Sequence, residues 1–227
     1  MQEKQKSEGK CFFCGKTFAK AGINRNLATH LLEMAEKEKT GKSFLVKVET
    51  CKRWGSSPYF LSLWIDGEAT MKNLDKFLRE IWLECCGHLS KFHGVGMAKK
   101  AQDVFEKGLQ IDYEYDFGSS TDLTVTVIDE YPIKADKKIV LLSRNEPLEI
   151  MCAICKKNPA TQICAVCLGY EEEDVFCDKC AEKHAKKCED FADYASMPVV
   201  NSPRMGVCGY EGGIIDTERD GVYVNKK

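Results

Sequence analysis

The pattern of apolar and polar residues predicts strands and then a helix in the first half of the chain. Residues 44–50 and 59–65 have the length and composition of β-strands, and an Asp-Gly turn follows the second. A helix is predicted over residues 71–84, with Thr70 as its N-cap. Its apolar residues have the spacing of a single buried helical face: Leu74, Phe77, Leu78, Ile81 and Trp82. We therefore expect this part of the chain to form the hydrophobic core.

Further elements follow on both sides of this helix. Residues 111–117, 123–128 and 139–142 are strand-like in composition. Nearer the N-terminus, a helix is predicted over residues 24–39 and is ended by Gly41. Because strands and helices are both present and the strands do not alternate regularly with helices, the predicted fold class is α+β.

Changes in composition divide the chain into four segments. They are an N-terminal zinc-finger-like module (1–41), an α+β core (43–147), a cysteine-dense module (150–191) and a Gly/Pro-rich tail or strap (192–227). The first 41 residues carry eight basic and five acidic side chains, whereas residues 148–227 carry ten and fourteen. The two ends are therefore expected to meet different partners.

The composition is typical of a protein from a reducing compartment. The chain has 227 residues, 13 cysteines and a net charge of −2. No apolar run approaches the roughly 18–20 residues of a membrane span, and the first ten residues lack the apolar region of a signal peptide. We therefore expect a cytoplasmic protein whose cysteines bind metal or do redox chemistry rather than form disulfides.

The cysteine-dense module contains eight metal-ligand candidates in four pairs. Three pairs are Cys-x-x-Cys, a spacing that lets two thiolates reach one zinc ion at about 2.3 Å. The fourth pair, His184 and Cys188, is spaced four residues apart and would lie on one face of a helix over residues 178–190. Two tetrahedral zinc sites need eight ligands, which is the number present. Every position would be filled by protein, so both sites are predicted to be structural.

An interleaved assignment of these ligands is predicted. Cys152, Cys155, Cys177 and Cys180 would bind one zinc ion, and Cys164, Cys167, His184 and Cys188 the other. The module has only scattered apolar residues, so the two ions must hold together one compact unit. A pairing in sequence order stays open, as does replacement of Cys188 by Cys208.

The order and spacing of these ligands over residues 152–188 resemble the MYND and B-box class of small double-zinc modules. The third pair has two intervening residues, where a MYND finger usually has three. The resemblance implies a module that binds protein partners.

The N-terminal segment resembles a two-Cys, two-His zinc finger. Residues 11–18 read Cys-Phe-Phe-Cys-Gly-Lys-Thr-Phe and precede the helix that carries His30. The resemblance implies a third zinc ion bound by Cys11, Cys14 and His30. The position one turn before His30 is Asn26, a poor zinc ligand, so Glu33, Cys51 or a water would complete the site. A metal-free vestige of a finger is the alternative.

Basic residues beside this finger form the one candidate nucleic-acid surface in the sequence: Lys10, Lys16, Lys20 and Arg25. An ordinary solvated basic surface explains them equally well. Weak binding is the most that so few charges would support.

A further candidate lies just after the core helix. Residues 85–88 read Cys-Cys-Gly-His, and His93 follows. They could form a metal or thiol site, or they could be cysteines buried behind the core helix. No Ser/His/Asp order, phosphate-binding loop or dinucleotide fingerprint is present, and no small-molecule substrate is evident, so no catalytic residue is predicted.

Three stretches of the core resemble the Ri-plasmid ORF-three-like family of bacterial and archaeal proteins. They are residues 74–82, residues 87–92 and the Tyr-Glu-Tyr-Asp-Phe-Gly of residues 113–118. The resemblance implies an α+β fold. The family has no established activity, and some members are described as passengers of transposable elements. This chain departs from the family after Gly118, where Ser-Ser-Thr-Asp replaces the usual acidic residue and Trp-x-His.

Together these observations predict a prokaryotic, non-catalytic zinc-binding adaptor. Its C-terminal double-zinc module would bind a protein partner. The alternative is a nucleic-acid-binding regulator that acts through the basic N-terminal finger.

Overall fold

The computed structural model describes residues 7–37, 39–50, 57–169 and 173–220. Its helices and antiparallel sheets confirm the α+β fold class. By their internal contacts the residues form two compact units, Met1–Arg79 with His88–Glu146, and Glu80–Gly87 with Pro147–Lys227. Within the described residues, no helix is both long enough and apolar enough to cross a membrane. The four segments predicted from sequence stay predictions about which parts fold independently.

A six-stranded antiparallel sheet forms the centre of the first unit. In spatial order its strands are β5 (Ser90–Phe92), β6 (Gln110–Tyr115), β7 (Thr121–Tyr131), β3 (Ser43–Thr50), β4 (Phe60–Asp66) and β8 (Ile139–Arg144). The strands predicted from sequence are all present, within about three residues at their ends. Strand β4 is buried along its whole length, so it lies at the centre of the core.

An N-terminal hairpin and a helix pack on this sheet. The hairpin pairs β1 (Glu8–Lys10) with β2 (Thr17–Ala19), and α1 (Ile23–Lys37) follows. The helix buries one stripe of apolar residues four apart: Ile23, Leu27, Leu31 and Ala35. These residues share a core cluster with Leu45 and Trp64 of the sheet and with Cys11 of the hairpin. The hairpin is therefore held by the hydrophobic core of the first unit.

Helix α2 (Met71–Leu78) begins as the sequence predicts. The Thr70 side chain accepts a hydrogen bond from the Asn73 backbone, and the Asn73 side chain accepts one from the Thr70 backbone, forming a capping box. The helix continues as a π-helical segment, Arg79–Leu83, which buries Ile81 and Trp82. Phe77, predicted to share the buried face, is only partly buried. A short helix, α3 (Ala101–Val104), was not predicted.

The second unit has a small sheet and two small buried clusters. Its strands lie in the order β10 (Val175–Phe176), β9 (Gln162–Cys164) and β11 (Ser196–Pro198), and α4 (Asp178–His184) follows β10. Two short segments complete it, the π-helical Phe191–Ala195 and the 3₁₀-helical Thr217–Arg219. One of its buried clusters contains four cysteines together with Phe176, Phe191 and two alanines. Sulfur atoms therefore occupy much of the interior that apolar side chains fill elsewhere.

Candidate metal centres

Three Cys-x-x-Cys pairs lie in turns of the same local geometry. In each turn, the backbone N–H after the second cysteine donates to the carbonyl of the first: Gly15 to Cys11 at 2.9 Å, Lys156 to Cys152 at 2.9 Å and Leu168 to Cys164 at 3.0 Å. Gly15 and Lys156 adopt positive φ angles of 68° and 52°. This conformation costs a lysine more than a glycine, because only glycine lacks the Cβ that crowds the backbone.

The remaining Cys-x-x-Cys pair, Cys177 and Cys180, lies at the start of α4. Cys177 is the N-cap residue, and Cys180 lies in the first turn of the helix. The backbone N–H groups of Cys180 and Ala181 both donate to the Cys177 carbonyl at 2.9 Å. The helix start therefore brings the two sulfurs of this pair close together, as the turns do for the other three Cys-x-x-Cys pairs.

The first group of the second unit consists of Cys152, Cys155, Cys177 and Cys180, whose sulfur atoms all lie within 4.8 Å of one another. The Sγ atoms of Cys155 and Cys177 are 3.9 Å apart. Four sulfurs bound tetrahedrally at about 2.3 Å from one ion would be separated by about 3.8 Å. The sulfurs thus already have the spacing of a tetrahedral metal site.

The second group consists of Cys164, Cys167, His184 and Cys188. The Cys167 sulfur lies 3.7 Å from His184 Nε2, close to the separation of about 3.6 Å between a sulfur and a nitrogen on one zinc ion. The His184 ring stacks on Phe176 at 4.2 Å and meets the edge of Phe191 at 4.9 Å. These two rings fix the orientation of the imidazole.

The helix that carries His184 is shorter than the sequence predicts. It ends at His184 rather than at Asp190. The Cys188 N–H nevertheless donates to the His184 carbonyl at 2.9 Å, so one further turn brings the two side chains together. His184 and Cys188 therefore keep the i, i+4 relation of a helical turn, although the regular helix ends at His184.

The structure groups the eight side chains in the interleaved order predicted from the sequence. Cys188 completes the second group, and Cys208 lies in another group. Each group offers four sulfur or nitrogen donors and could hold a metal ion. Which metal the groups bind stays a prediction.

Thiols within each group differ widely in pKa. Burial raises the pKa of Cys152, but backbone N–H groups of Cys155 and Cys177 outweigh it and lower the value to about 6. Burial and the neighbouring Cys177 raise the pKa of Cys180 to about 12. Burial and the neighbouring Cys164 likewise raise the pKa of Cys167 to about 12. Crowded thiols resist full ionisation because their charges repel, and a bound divalent cation would remove that repulsion.

The N-terminal group consists of Cys11, Cys14 and His30. A backbone N–H of Lys16 and the His30 side chain lower the pKa of Cys14 to about 7, whereas burial raises that of Cys11. His30 Nδ1 lies 3.9 Å from Glu33 Oε2, and its Nε2 is buried without a hydrogen-bond partner in the part of the chain that is described. This matches a ligating histidine, which directs one ring nitrogen to the metal and the other to a carboxylate.

Asn26 lies beside the position expected for a fourth donor of this group, and the expected candidates Cys51 and a water stay untested. Glu33 faces the other ring nitrogen of His30, and Cys51 lies outside the described residues. The Oδ1 atom of Asn26 lies 3.7 Å from Cys14 Sγ. An amide oxygen is a poor zinc ligand, yet the Asn26 side-chain oxygen lies beside the group.

The basic residues beside the N-terminal group are not equally accessible to a nucleic acid. Lys10, Lys16 and Arg25 are exposed. Lys20 is only partly exposed, because its ammonium lies 2.8 Å from Glu49 and donates to the Ser57 carbonyl at 2.6 Å. Three of the four predicted nucleic-acid contacts therefore remain accessible to a phosphate.

A fourth group was not predicted as such. Within the second unit it brings together the sulfur atoms of Cys85, Cys86 and Cys208, which could also hold a metal ion. The part of the chain that the structure describes therefore offers four such groups, one more than the three zinc ions expected from sequence. Cys86 is exposed, so the interpretation of this pair as buried cysteines is wrong. His93 is outside the group, and its Nε2 lies 3.5 Å from a Glu114 carboxylate oxygen.

Comparison with known proteins adds little. No known protein family matches the sequence, and no curated protein matches it. One similar solved structure is the protein of unknown function MM3350 from Methanosarcina mazei Go1. It is 19% identical, the match covers 46% of this chain and 68% of that one, and the TM-score is 0.36. A likeness this distant carries no argument about function, and the resemblance to the Ri-plasmid ORF-three-like family stays a prediction.

Proposed function

We propose that the protein is a non-catalytic zinc-binding adaptor, and that its double-zinc module, residues 150–191, binds a protein partner. The observation that carries this proposal is the pair of four-donor groups in the second unit. Each group supplies four protein donors, which occupy all four coordination positions of a tetrahedral zinc ion and leave none for a substrate. Such closed sites support structure rather than catalysis.

Zinc is the metal that these donors suit best. Seven thiolates and one imidazole are soft or borderline ligands, and the sulfur separation of 3.9 Å fits a tetrahedral ion. The buried cluster around the groups contains only two aromatic side chains and two alanines besides its cysteines. Structural zinc, with apparent binding energies on the order of 10–16 kcal/mol, would supply the stability that so small a core lacks.

Exposed apolar side chains on the module support a protein partner. Ile154 and Val166 each lie inside a Cys-x-x-Cys turn and are 42% and 38% exposed. We call these two the tip residues. Tyr194 follows the end of the module closely in sequence and is 66% exposed. Apolar side chains at such turns suit a protein surface better than phosphates, and the acidic surplus of residues 148–227 would repel a polyanion.

A capture experiment with full-length chain tests the proposal. The double variant Ile154→Ser and Val166→Ser removes the exposed apolar tips and leaves every metal donor in place. We expect it to retain its metal and to lose the proteins that the parent captures from a lysate of the source cells. Leu89→Ser is the matched control, since Leu89 is also an exposed apolar residue, at 72%, but lies in the first unit. Capture lost equally in both variants, or in neither, would contradict the proposal.

A second candidate function is weak nucleic-acid binding through the N-terminal group. The exposed Lys10, Lys16 and Arg25 favour it. The contacts would be few, so binding should be strongly salt-dependent. Because the hairpin and α1 contribute to the core of the first unit, deleting residues 1–41 would expose that core. The test is therefore the triple change of these three residues to Gln, which should abolish binding. Tight binding that survives the change would contradict nucleic-acid recognition through the N-terminal group.

A further inference from the structure

Three thiols of the second unit meet from segments that are far apart in the sequence. Cys85 and Cys86 follow the π-helical segment Arg79–Leu83, and Cys208 lies 122 residues beyond Cys86. The Cys86 sulfur is 3.8 Å from that of Cys85 and 3.8 Å from that of Cys208. A disulfide bond would bring two sulfurs to about 2.05 Å. The observed separations instead match the edge of about 3.8 Å expected for two thiolates on one tetrahedral ion.

We propose that Cys85, Cys86 and Cys208 bind a fourth metal ion of the zinc class. All three cysteines belong to the second unit, and their sulfur atoms lie within 4.8 Å of one another. Thiolate sulfur is a donor that zinc prefers in structural sites. This site is independent of the adaptor proposal, which needs only the two groups of residues 150–191.

The charge around the thiols suits a bound cation. Three thiolates and one divalent ion together carry a single negative charge. Arg204 is fully buried in the second unit, and its Nη2 lies 3.6 Å from Cys85 Sγ. A guanidinium stays protonated at any physiological pH, so this cation offsets the residual charge of the metal–thiolate group. An opposite charge at this distance also favours the thiolate form that the metal requires.

The backbone around Arg204 is held in position by hydrogen bonds. The Arg204 N–H donates to Ser202 Oγ at 2.9 Å, and the Ser202 hydroxyl donates to the Trp82 carbonyl at 2.7 Å. Ile214 N–H donates to the Glu80 carbonyl at 2.8 Å. The segments that carry the three thiols are therefore already joined, and the site is preorganised on both sides.

The exposure of this site sets it apart from the other two groups in the second unit. Cys86 and Cys208 are exposed, whereas Cys152, Cys164, Cys177 and Cys180 are buried. Solvent and chelators can reach an ion at Cys86 directly. The bound ion would therefore exchange faster than those in residues 150–191, and its loss would loosen the attachment of residues 199–220 to residues 80–87.

The test compares metal content and exchange in full-length variants. Cys208→Ser removes one donor from an exposed position, and Val207→Ala changes its neighbour in the same turn as a matched control. After dialysis against zinc and then metal-free buffer, we expect Cys208→Ser to retain about one ion per chain fewer than the parent, and Val207→Ala to retain the parental number. Far-UV circular dichroism of both variants checks that they are folded.

Hydrogen exchange supplies a second readout. In Cys208→Ser, amides of residues 199–220 should exchange faster than in the parent, while those of β3 and β4 should be unchanged. Equal metal content in parent and variant would overturn the proposal, as would a Cys86–Cys208 disulfide in protein kept under reducing conditions. Either result would leave the adaptor proposal standing, because that proposal depends on the metal held by residues 150–191.

Discussion

Single residues decide how well each group can hold a metal. The N-terminal group has three strong donors, and the side chain beside the fourth position is an amide, since Asn26 Oδ1 lies 3.7 Å from Cys14 Sγ. An amide oxygen is a harder and weaker donor for zinc than an imidazole. The account therefore places the most weakly held ion of the three predicted from sequence at this group.

Replacing Asn26 by His should strengthen the N-terminal group. The variant would supply a second imidazole one turn before His30, at i and i+4 on the same helical face. We expect metal to be retained against a chelator concentration about tenfold higher or more, an affinity gain of about 1.4 kcal/mol. The measurement is competition with a chromophoric chelator, and Leu32→His, exposed and about 120° around α1 from Asn26, is the control. No gain in Asn26→His would show that Asn26 does not face the metal.

Acidification should release the ions. A thiol must lose its proton to bind zinc, so protons compete with the metal as the pH falls. The pKa of Cys14 lies near 7 and that of Cys152 near 6, while Cys180 and Cys167 titrate near 12. Zinc binding must therefore displace protons from the high-pKa thiols throughout the neutral range, and affinity should fall about tenfold per pH unit for each proton displaced. A chelator titration between pH 8 and 6 checks this, and a pH-independent affinity would contradict thiolate ligation.

Local elements followed from the sequence where their cause is local. The start of α2 and five of the six strands of the main sheet depend on residues close together in the chain, and each was predicted; the short β5 (Ser90–Phe92) was not. The pairing of Cys86 with Cys208 spans 122 residues, so no spacing rule could indicate it. The ion pair of Lys20 with Glu49 likewise depends on how β2 and β3 approach each other. The four-residue spacing of His184 and Cys188 predicts a continuous helix, but a single turn beyond the end of α4 satisfies the same spacing.

The capping box of α2 gives a prediction at the scale of one element. Thr70→Ala removes the side-chain acceptor of the Asn73 N–H and half of the reciprocal pair. We expect the free energy of unfolding to fall by about 1 kcal/mol. Chemical denaturation measures this. Thr29→Ala is the control, since the Thr29 hydroxyl donates to the Arg25 carbonyl on an exposed helical face and removing that contact should cost little.

At the scale of the whole molecule, the two units depend on different interactions. The first unit has a six-stranded sheet with large buried side chains such as Trp64 and Phe44. The cysteine-lined cluster of the second unit has no comparable apolar interior among the described residues. We therefore expect strong chelation to unfold residues 150–191 and to leave the sheet intact, as followed by hydrogen exchange. Loss of both units in one transition would show that the metal also supports the sheet.

The most direct test of the account is the metal content of the purified full-length protein. Native mass spectrometry, combined with elemental analysis, gives both the number and the identity of the bound ions. The account predicts at least two zinc ions per chain that survive dialysis, and the loss of one of them in Cys164→Ser and of the other in Cys177→Ser. Fewer than two tightly bound zinc ions in the parent, with folded protein, would contradict the double-zinc module and the adaptor proposal with it.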